Sequence, residues 1–435
     1  MMDVISMEDF DTADIGCFFD AAEEIKYAIH DPEGAVIFEE KHGRSIEDLL
    51  KGTKVASVLV EPSTRTNYST RAAGGTAGAW VDGFPSKDHT SLEKGETWLD
   101  TVSMFAGWGY DVIAMRSTTE GLPRYTKEFL ELNHELLQQQ HSSLKGSPYR
   151  HNFSYSVPLI INSGDGKNQH PTQCLLDLFT IREFARSMGK KMDGLDLALM
   201  NDIAHSRVHS SIMSVAHLFD FTLHFAYPRE FGPSQSKLDD LKRKGVKVYD
   251  HGQDKEAAMV ASDFALHCRP QKHRIGSGEY FAEVQKWGML DGGLFDRLGD
   301  NAPFLMHPLP VDSEDFQEIH PSLRFHPANL SNYQATNGLY VRIAAIALGL
   351  GLMKTDHVFS ESSSMDKTYE LKELPVVSNK KGLINPQSGF VKDQGVVLDH
   401  VPRGYVRRLA GILGLEKQDN LPVVAAYNIP GGRRV

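Results

Sequence analysis

Cysteine is scarce in this sequence. Three cysteines occur among 435 residues, at Cys17, Cys174 and Cys268. They lie far apart and in no paired spacing, which excludes a disulfide framework and a Cys-x-x-Cys metal site. Because isolated thiols fit a reducing compartment, we expect a cytoplasmic protein.

Long apolar runs and long basic runs are also absent. The longest apolar run, from Ile343 to Met353, covers about 11 residues, too few to span a bilayer. The formal net charge is −11 and there is no basic stripe, which argues against a nucleic-acid partner. The acidic N-terminal sequence MMDVISMEDFD lacks the basic-then-apolar order of a signal peptide. We therefore expect a soluble protein with neither a membrane nor a nucleic-acid partner.

Several familiar catalytic and cofactor motifs are missing as well. The sequence contains no Walker A motif, no G-x-G-x-x-G after a predicted strand, and no internal repeat. No Ser-His-Asp order, metal-ligand pair or paired-carboxylate site stands out. These absences argue against a dinucleotide-dependent dehydrogenase, and we expect neither a metal nor a cofactor.

What is present is an alternation of strand-like and helical patterns. The chain is long enough for two or three domains, and its 41% apolar content can form a sizeable core. The alternation predicts parallel sheets with helices on both faces. The strand-like or apolar runs are KVASVLV, Ala79–Val81, DVIAMR, VPLIINSGDG, LDLALMND, FTLHFAYP, VKVYDH, DFALHCR and PFLMHPLP. The helical patterns are Met7–Leu50, Cys174–Gly189 and Thr336–Met353.

Three segments depart from this alternation. Residues 131–156 are rich in Gln, His and Ser, and we interpret them as a surface insertion rather than core. The Ser-, Lys- and Pro-rich stretch 354–387 predicts a linker. The last segment, 388–435, has the pattern strand, helix, strand, and at roughly 40 residues it is small for an independent core.

The sharpest polar feature is the Ser-Thr-Arg-Thr turn, Ser63–Thr66, between a predicted strand and a helical pattern. Backbone N–H groups and hydroxyls at a helix start, with a guanidinium beside them, suit a phosphate. Taken alone, the turn is better interpreted as a simple Ser/Thr helix cap with a surface arginine.

Four further polar loops follow predicted strands. They are GDGKNQHPTQ at 164–173, HSRVHS at 205–210, CRPQKHR at 268–274 and HPLP at 307–310. A single histidine or proline in such a loop is more often structural than functional. However, the carboxyl ends of parallel strands are where open α/β sheets bind ligands, and all five loops fall there.

Together these five motifs, in this order, resemble the aspartate/ornithine carbamoyltransferase family from about residue 5 to residue 353. The resemblance implies two α/β domains with doubly wound parallel sheets. Residues 1–171, completed by helix 335–353, would bind carbamoyl phosphate, and residues 172–334 would bind L-aspartate. The family also implies a homotrimer in which neighbouring subunits share each active site, with room for a higher assembly.

The resemblance assigns the carbamoyl phosphate contacts motif by motif. Arg116 would bridge the phosphate and the carbonyl oxygen, and His170 would hydrogen-bond that carbonyl. Gln173 and the backbone carbonyls of Pro308 and Leu309 would hold the carbamoyl NH2 group. The phosphate itself would be held by Ser63, Thr64, Arg65 and Thr66.

The second substrate would be bound through its carboxylates. Arg207, Arg269 and Gln271 are the residues that the resemblance assigns to this role. Lys94 would reach into the adjacent subunit's site and contact both substrates. The hydroxyl contact in the same loop would come from Thr90 or Ser91, while Glu61 and Arg274 would be the charges that aim Arg207 and Arg269.

The expected acceptor is aspartate rather than ornithine. Two carboxylates favour paired guanidinium groups and an amide, as in Arg269-Pro270-Gln271. An ornithine enzyme would be expected to carry Cys where this chain has Pro308. Two alternatives stay open: transfer to another amine, and a non-catalytic regulatory partner that binds carbamoyl phosphate. The second is motivated by the altered helix Asn67–Arg71 and by the C-terminal segment.

The C-terminal segment resembles the first β-α-β of the family's nucleotide-binding regulatory chain. Asp399 and His400 match early residues of its effector site. The later lysines of that site and a four-cysteine zinc domain have no counterpart in this sequence. A packing appendage without an effector site is therefore the favoured interpretation.

Overall fold

The structure is a computed structural model that describes residues 2–143, 156–270, 279–312 and 317–359, with three short strands between 384 and 399. The chain divides into two units. Unit 1 comprises Met1–Ile5, Glu24–Gly166 and Ala345–Val435, and unit 2 comprises Ser6–Glu23 and Lys167–Ala344. The predicted domains, residues 1–171 for carbamoyl phosphate and residues 172–334 for L-aspartate, stay predictions.

Unit 1 contains a parallel sheet in the order β2-β1-β3-β4. The two central strands are buried along almost their whole length, as expected for a parallel sheet that is covered on both faces. The strands are β1 Lys54–Leu59, β2 Trp80–Phe84, β3 Val112–Ser117 and β4 Leu159–Asp165.

Unit 2 contains a five-stranded parallel sheet in the order β7-β6-β5-β8-β9. Its core includes Met200, Ala265 and Leu305 from three neighbouring strands, packed with Phe295. The strands are β5 Asp196–Asn201, β6 Thr222–Ala226, β7 Lys247–Asp250, β8 Phe264–Cys268 and β9 Phe304–Met306. Each of the nine strand-like or apolar runs before residue 354 overlaps a strand of one of these two sheets, so the predicted α/β class is confirmed.

Twelve α-helices occur in the part of the chain that the structure describes. The first of them to carry a clear start and stop signal is α2: Asp31 accepts from the N–H groups of Glu33 (2.8 Å) and Gly34 (3.3 Å), and Gly43 ends the helix in the left-handed region. The helices are α1 Thr12–His30, α2 Pro32–His42, α3 Thr64–Thr76, α4 Trp98–Gly107, α5 Leu122–Ser143, α6 Pro171–Ser187, α7 Arg207–Val215, α8 Gln235–Arg243, α9 Lys255–Val260, α10 Glu279–Gly288, α11 Gly292–Leu298 and α12 Ser331–Gly349.

Helix α5 corrects the predicted surface insertion at 131–156. Residues 131–143 continue α5, and Leu132 is buried. A helix needs only one apolar face to pack, so a mostly polar sequence is compatible with a structural helix. The prediction was wrong at Leu132; the side chains of 136–143 and all of residues 144–155 lie outside the described residues.

Near the C-terminus, three short strands form an antiparallel sheet: β10 Ile384–Asn385, β11 Phe390–Asp393 and β12 Val396–Asp399. The strand predicted at the start of the C-terminal segment coincides with β12. The helix and second strand predicted after it, and His400, lie outside the described residues. Among the helices that the structure describes, none is long and apolar enough to cross a membrane.

The turn between α3 and β2 requires glycine for two reasons. Gly78 has φ +84°, and a Cβ built on it would lie 2.1 Å from the carbonyl oxygen of Glu47. Gly109 has a similar φ of +73°, but a Cβ there would meet nothing within 4 Å. The two positions therefore share the backbone strain of an L side chain and differ only in the steric clash.

We predict that Gly78→Ala destabilises the protein much more than Gly109→Ala. Left-handed backbone strain costs about 1 kcal/mol at either site, and displacing backbone at position 78 adds roughly 2 kcal/mol or more. Urea unfolding followed by circular dichroism measures both losses. Equal losses in the two variants would contradict the steric argument.

Candidate active site

In unit 1, the Ser63–Thr66 turn begins α3 directly after β1. Ser63 precedes the helix in extended backbone, yet its side chain makes no capping bond to the backbone. Its hydroxyl donates instead to the Thr66 hydroxyl at 2.8 Å. Thr64 and Arg65 are exposed, while Thr66 is buried. The turn therefore presents polar side chains at a helix start, where an anion is favoured, and Ser63 is not the simple cap considered above.

Arg116, the second arginine that the resemblance assigns to the phosphate, lies near the end of β3 and pairs with Leu59 at the end of β1. Its Nη2 atom donates to Glu61 Oε1 at 2.7 Å, and its Nη1 atom lies 3.5 Å from the Ser163 carbonyl oxygen. The Glu61 and Ser163 contacts restrict a long side chain that would otherwise be free to rotate. In the structure Glu61 thus pairs with Arg116; its predicted action on Arg207 and Arg269 stays a prediction.

The altered family pattern after Thr66 has its own support. Asn67 is buried, and its Oδ1 atom accepts from the Ser57 hydroxyl at 3.1 Å and from Arg71 Nε at 3.4 Å. Arg71 also donates to the Gly83 carbonyl oxygen on β2 at 3.4 Å. Helix α3 is therefore tied to strands β1 and β2 by hydrogen bonds despite the departure from the usual sequence.

Lys94 is exposed on the loop between β2 and α4. The loop is held by Leu92, which is buried in the unit 1 core, and by a hydrogen bond from Lys94 N–H to the Ser91 carbonyl oxygen at 3.0 Å. The Thr90 hydroxyl donates to the Lys87 carbonyl oxygen, whereas Ser91 is exposed. The Thr90 hydroxyl is thus bonded within its own loop, and a ligand contact from either Thr90 or Ser91 stays a prediction.

In unit 2, His170 stands at the start of α6, just before Pro171. It is buried, and its backbone N–H donates to the Ser211 hydroxyl at 2.9 Å. That hydroxyl donates in turn to the carbonyl oxygen of Arg207 at 2.9 Å. One serine thus connects the loop after β4 with the first turn of α7, and two predicted site residues are held together through it.

Gln173 lies one turn further along α6. Its Nε2 atom donates to Asp177 Oδ1 at 2.8 Å, and Gln334 on α12 donates to the same oxygen. Asp177 is fully buried, and burial raises its pKa to about 7, opposed by the bonds from Gln334 and Gln173 and by the positive charge of Arg342. The buried carboxyl group of Asp177 thus binds the side chain of Gln173, one of the predicted carbamoyl contacts.

The His-Pro-Leu-Pro loop follows β9 and is fixed from both sides. The His307 N–H donates to Gln334 Oε1 at 2.9 Å, and the His307 Nδ1 atom accepts from the Leu309 N–H at 2.9 Å. Leu309 has φ +53°, and both Pro308 and Leu309 are half-buried. The loop carbonyl groups predicted to hold the carbamoyl NH2 therefore sit on backbone that is tied to α12.

Arg207 is the first residue of α7, and the loop before it is held by a lysine. Lys237 Nζ donates to the Ser210 hydroxyl at 3.0 Å and to the carbonyl oxygens of Ile203 and Ala204 at 3.5 and 3.4 Å. Arg269 follows β8 and is exposed. The predicted contacts Gln271 and Arg274 lie outside the described residues, so their roles stay predictions.

Sequence reasoning missed four residues that hold the site residues in place: Ser211, Lys237, Asp177 and Gln334. Asp177 did leave a signal. It is an acid inside an otherwise apolar helical run, four residues after Gln173, which places both on one face of the helix. The other three make contacts with parts of the chain that sequence spacing does not predict.

Within the described residues, no group of three or more His, Cys, Asp or Glu side chains is arranged to hold a metal ion. The chemistry of the described site residues is instead that of cations, hydroxyls and amides. Such groups bind phosphate and carboxylate and stabilise negative charge on oxygen.

Comparison with known proteins gives a consistent result. The domain descriptions "Aspartate/ornithine carbamoyltransferase, carbamoyl-P binding domain" and "Aspartate/ornithine carbamoyltransferase, Asp/Orn binding domain" match residues 2–183 and 193–348. The chain belongs to the aspartate/ornithine carbamoyltransferase family. Residues after 348 lie outside both matched ranges.

Individual members of the carbamoyltransferase family match over most of the chain. An aspartate carbamoyltransferase catalytic subunit of Thermococcus kodakarensis is 31% identical, over 81% of this chain and 97% of its own length. The one of Cellvibrio japonicus is 32% identical, over 80% of this chain and 91% of its own. The solved catalytic subunit of M. jannaschii aspartate transcarbamoylase has a TM-score of 0.64 at 27% identity, covering 81% and 98%.

Two buried histidines lie beneath the loops of unit 2. His209 on α7 donates from Nε2 to the Leu266 carbonyl oxygen at 3.1 Å, and His267 on β8 donates to the Gly288 carbonyl oxygen at 2.7 Å. Burial lowers the pKa of His209 to about 4 and that of His267 to about 3. Both imidazoles are therefore neutral in the folded protein at neutral pH.

We predict that His267→Gln makes folding stability less sensitive to acid. The folded pKa lies below the unfolded value of 6.5, so the stability present above pH 6.5 is lost as pH falls from there towards about 3. Each such proton contributes up to about 1.4 kcal/mol per pH unit. Glutamine keeps a donor for Gly288 but does not titrate.

Urea unfolding at pH 7.5, 6.5 and 5.5 measures this slope. The exposed His30→Gln variant is the control for removing an imidazole. An unchanged slope in His267→Gln would show that His267 is not a source of acid sensitivity.

Proposed function

We propose that this chain is an aspartate carbamoyltransferase, which converts carbamoyl phosphate and L-aspartate to N-carbamoyl-L-aspartate and phosphate in pyrimidine synthesis. The observation that carries the proposal is the position of the polar motifs in the fold. The polar motifs that distinguish the family each follow a parallel strand at its carboxyl end, in a chain related to aspartate enzymes along nearly their full length.

The residues of unit 1 take the phosphate. A dianion suits the start of α3, where Ser63, Thr64 and Thr66 supply hydroxyls and Arg65 a guanidinium. Arg116, steadied by Glu61, stabilises the charge that develops between the leaving phosphate and the carbonyl oxygen. Lys94 contributes from its exposed loop to the site of a neighbouring subunit, as the family resemblance implies.

The residues of unit 2 take the carbamoyl group and the amino acid. His170 polarises the carbonyl, while Gln173 and the carbonyls of Pro308 and Leu309 hold the NH2 group. Arg207 and Arg269, with Gln271, pair with the two carboxylates of aspartate. The loops that carry Arg207, Arg269 and Pro308 follow β5, β8 and β9 of one parallel sheet, whereas His170 and Gln173 follow β4.

The reaction needs little covalent participation by the protein. The aspartate amine attacks the planar carbonyl carbon, the C–O bond to phosphate breaks, and the amine gives up a proton. Holding two substrates in line and stabilising negative oxygen supply the rate enhancement. The departing phosphate, a dianion beside the attacking nitrogen, is the acceptor of that proton.

Two further features belong to the proposal. The assembly is a homotrimer with shared active sites, which explains the exposed position of Lys94. The protein is cytoplasmic, since its three cysteines are unpaired and buried in the structure. Nucleotide control through Asp399 and His400 is not part of the proposal, because the C-terminal segment is better interpreted as a packing appendage.

We predict that the purified chain carbamoylates aspartate and not ornithine, and that Arg207→Ala raises the KM for aspartate. Losing a charge-assisted bond to a carboxylate costs about 1.5–3 kcal/mol, a change of about 10- to 100-fold. The KM for carbamoyl phosphate should change much less. Arg243→Ala, an exposed arginine on α8 in the same unit, is the matched control.

Colorimetric detection of the ureido product measures both substrates in one assay. Carbamoylation of ornithine or another amine with none of aspartate would overturn the aspartate assignment. Binding of carbamoyl phosphate without turnover of any amine would favour the non-catalytic alternative.

We also predict that two inactive variants restore activity when mixed. If each site combines His170 of one subunit with Lys94 of the next, Lys94→Ala and His170→Ala are each inactive alone. Randomly reassembled trimers of the two should recover about one quarter of the wild-type rate, because every mixed trimer contains one intact site. No recovery after reassembly, checked by light scattering, would argue against shared sites.

A further inference from the structure

A single buried carboxyl oxygen joins two of the predicted carbamoyl contacts. Asp177 Oδ1 accepts from Gln173 Nε2 at 2.8 Å and also from Gln334 Nε2. Gln334 then accepts, through its own Oε1, the N–H of His307 at 2.9 Å. Asp177, Gln334 and His307 are almost completely buried, so water does not compete for these bonds.

The two different sides of an amide group fix how the Gln173 and Gln334 side chains are oriented. A glutamine side chain has an NH2 group on one side and an oxygen on the other, and only the NH2 side can donate. Because Asp177 Oδ1 takes the NH2 side of Gln173, the Gln173 oxygen is turned away from it as an acceptor. The same argument turns the Gln334 oxygen towards the His307 N–H.

We propose that Asp177 is a positioning residue that orients Gln173 and the 307–309 loop to grip the NH2 group of carbamoyl phosphate. The proposal rests on the function proposed above. A carbamoyl NH2 donates two hydrogen bonds, so its site must present acceptors. Gln173 Oε1 and the carbonyls of Pro308 and Leu309 are acceptors, and both sets lead back to Asp177 through hydrogen bonds.

The surroundings of Asp177 allow its Oδ1 atom to accept hydrogen bonds whether or not the carboxyl group is protonated. Burial raises the pKa of Asp177 to about 7, against the lowering effect of its two amide donors and Arg342. Oδ1 faces two N–H donors, so a proton bound near neutral pH resides on Oδ2. Oδ1 therefore remains an acceptor whether or not the group is ionised.

Acetyl phosphate is the probe that separates positioning from general stability. It has a methyl group where carbamoyl phosphate has NH2, so only contacts to the NH2 group distinguish the two. The full-length enzyme is assayed with aspartate, and the KM for carbamoyl phosphate is compared with the inhibition constant of acetyl phosphate. Wild type should favour carbamoyl phosphate.

In Asp177→Ala this preference should fall by about tenfold, because misoriented acceptors no longer match the NH2 donors. Asp177→Asn should retain most of the preference, because the asparagine oxygen can take both donors. If the preference is unchanged in Asp177→Ala, or lost equally in the Asn variant, the positioning role is wrong.

The matched control is Thr180→Val, on the same helix. Thr180 is buried and accepts from Asn337 on α12 at 2.9 Å, and the hydrogen bonds described for Thr180 run to Asn337 and to the Leu176 carbonyl oxygen rather than to the 307–309 loop. It should lose stability without losing the preference; an equal loss in this control would mean that Asp177 acts only structurally.

If Asp177→Ala does not fold, Gln334→Leu serves instead. It leaves the Gln173 bond and cuts the bond to His307, so a smaller but measurable loss of preference is expected, and no loss would contradict the loop half of the proposal. If the wild-type chain does not carbamoylate aspartate, the proposed function is wrong. If the wild type is active and Asp177→Ala keeps the wild-type preference for carbamoyl phosphate, only this inference is wrong.

Discussion

The parallel hydrogen-bond ladder is the constraint on which the rest of the structure depends. In the main sheet of each unit all strands run the same way, so their carboxyl ends share one edge. Parallel neighbours cannot be joined by a tight turn, so each strand must be followed by a loop and a crossover. The polar residues of this family member occupy those loops because that is the one edge where backbone N–H groups, helix starts and side chains of distant segments converge.

Much of this could be predicted because it is local in sequence. A run such as LALMN is apolar over the length of one strand, and the polar residues directly after it must lie at the strand's end. The positions of Ser63, His170 and Arg207 at helix starts follow from the same reasoning, since each stands between a strand pattern and a helix pattern. Chemistry that depends on adjacent residues is therefore visible in a single sequence.

What could not be predicted depends on contacts between distant segments. Glu61 and Arg116 are 55 residues apart, and Asp177 and Gln334 are 157 apart. Periodicity predicts that α6 and α12 are helices, but not which of their faces meet. The predicted surface insertion was wrong at Leu132 for a related reason: the polar residues around it concealed one apolar side chain that is buried where α5 continues.

The polar contacts between α6 and α12 also limit how unit 2 can change. Asp177 meets Gln334, and Thr180, three residues on, meets Asn337, also three residues on. Both hydrogen-bonded pairs can form in only one register of the two helices, whereas an apolar interface would allow one helix to shift along the other. One residue inserted between Gln334 and Asn337 would turn the following part of α12 by about 100° and disengage a pair. An insertion or deletion between these paired positions would therefore break the contacts, and the α6–α12 pair holds the loops that it supports in a fixed position.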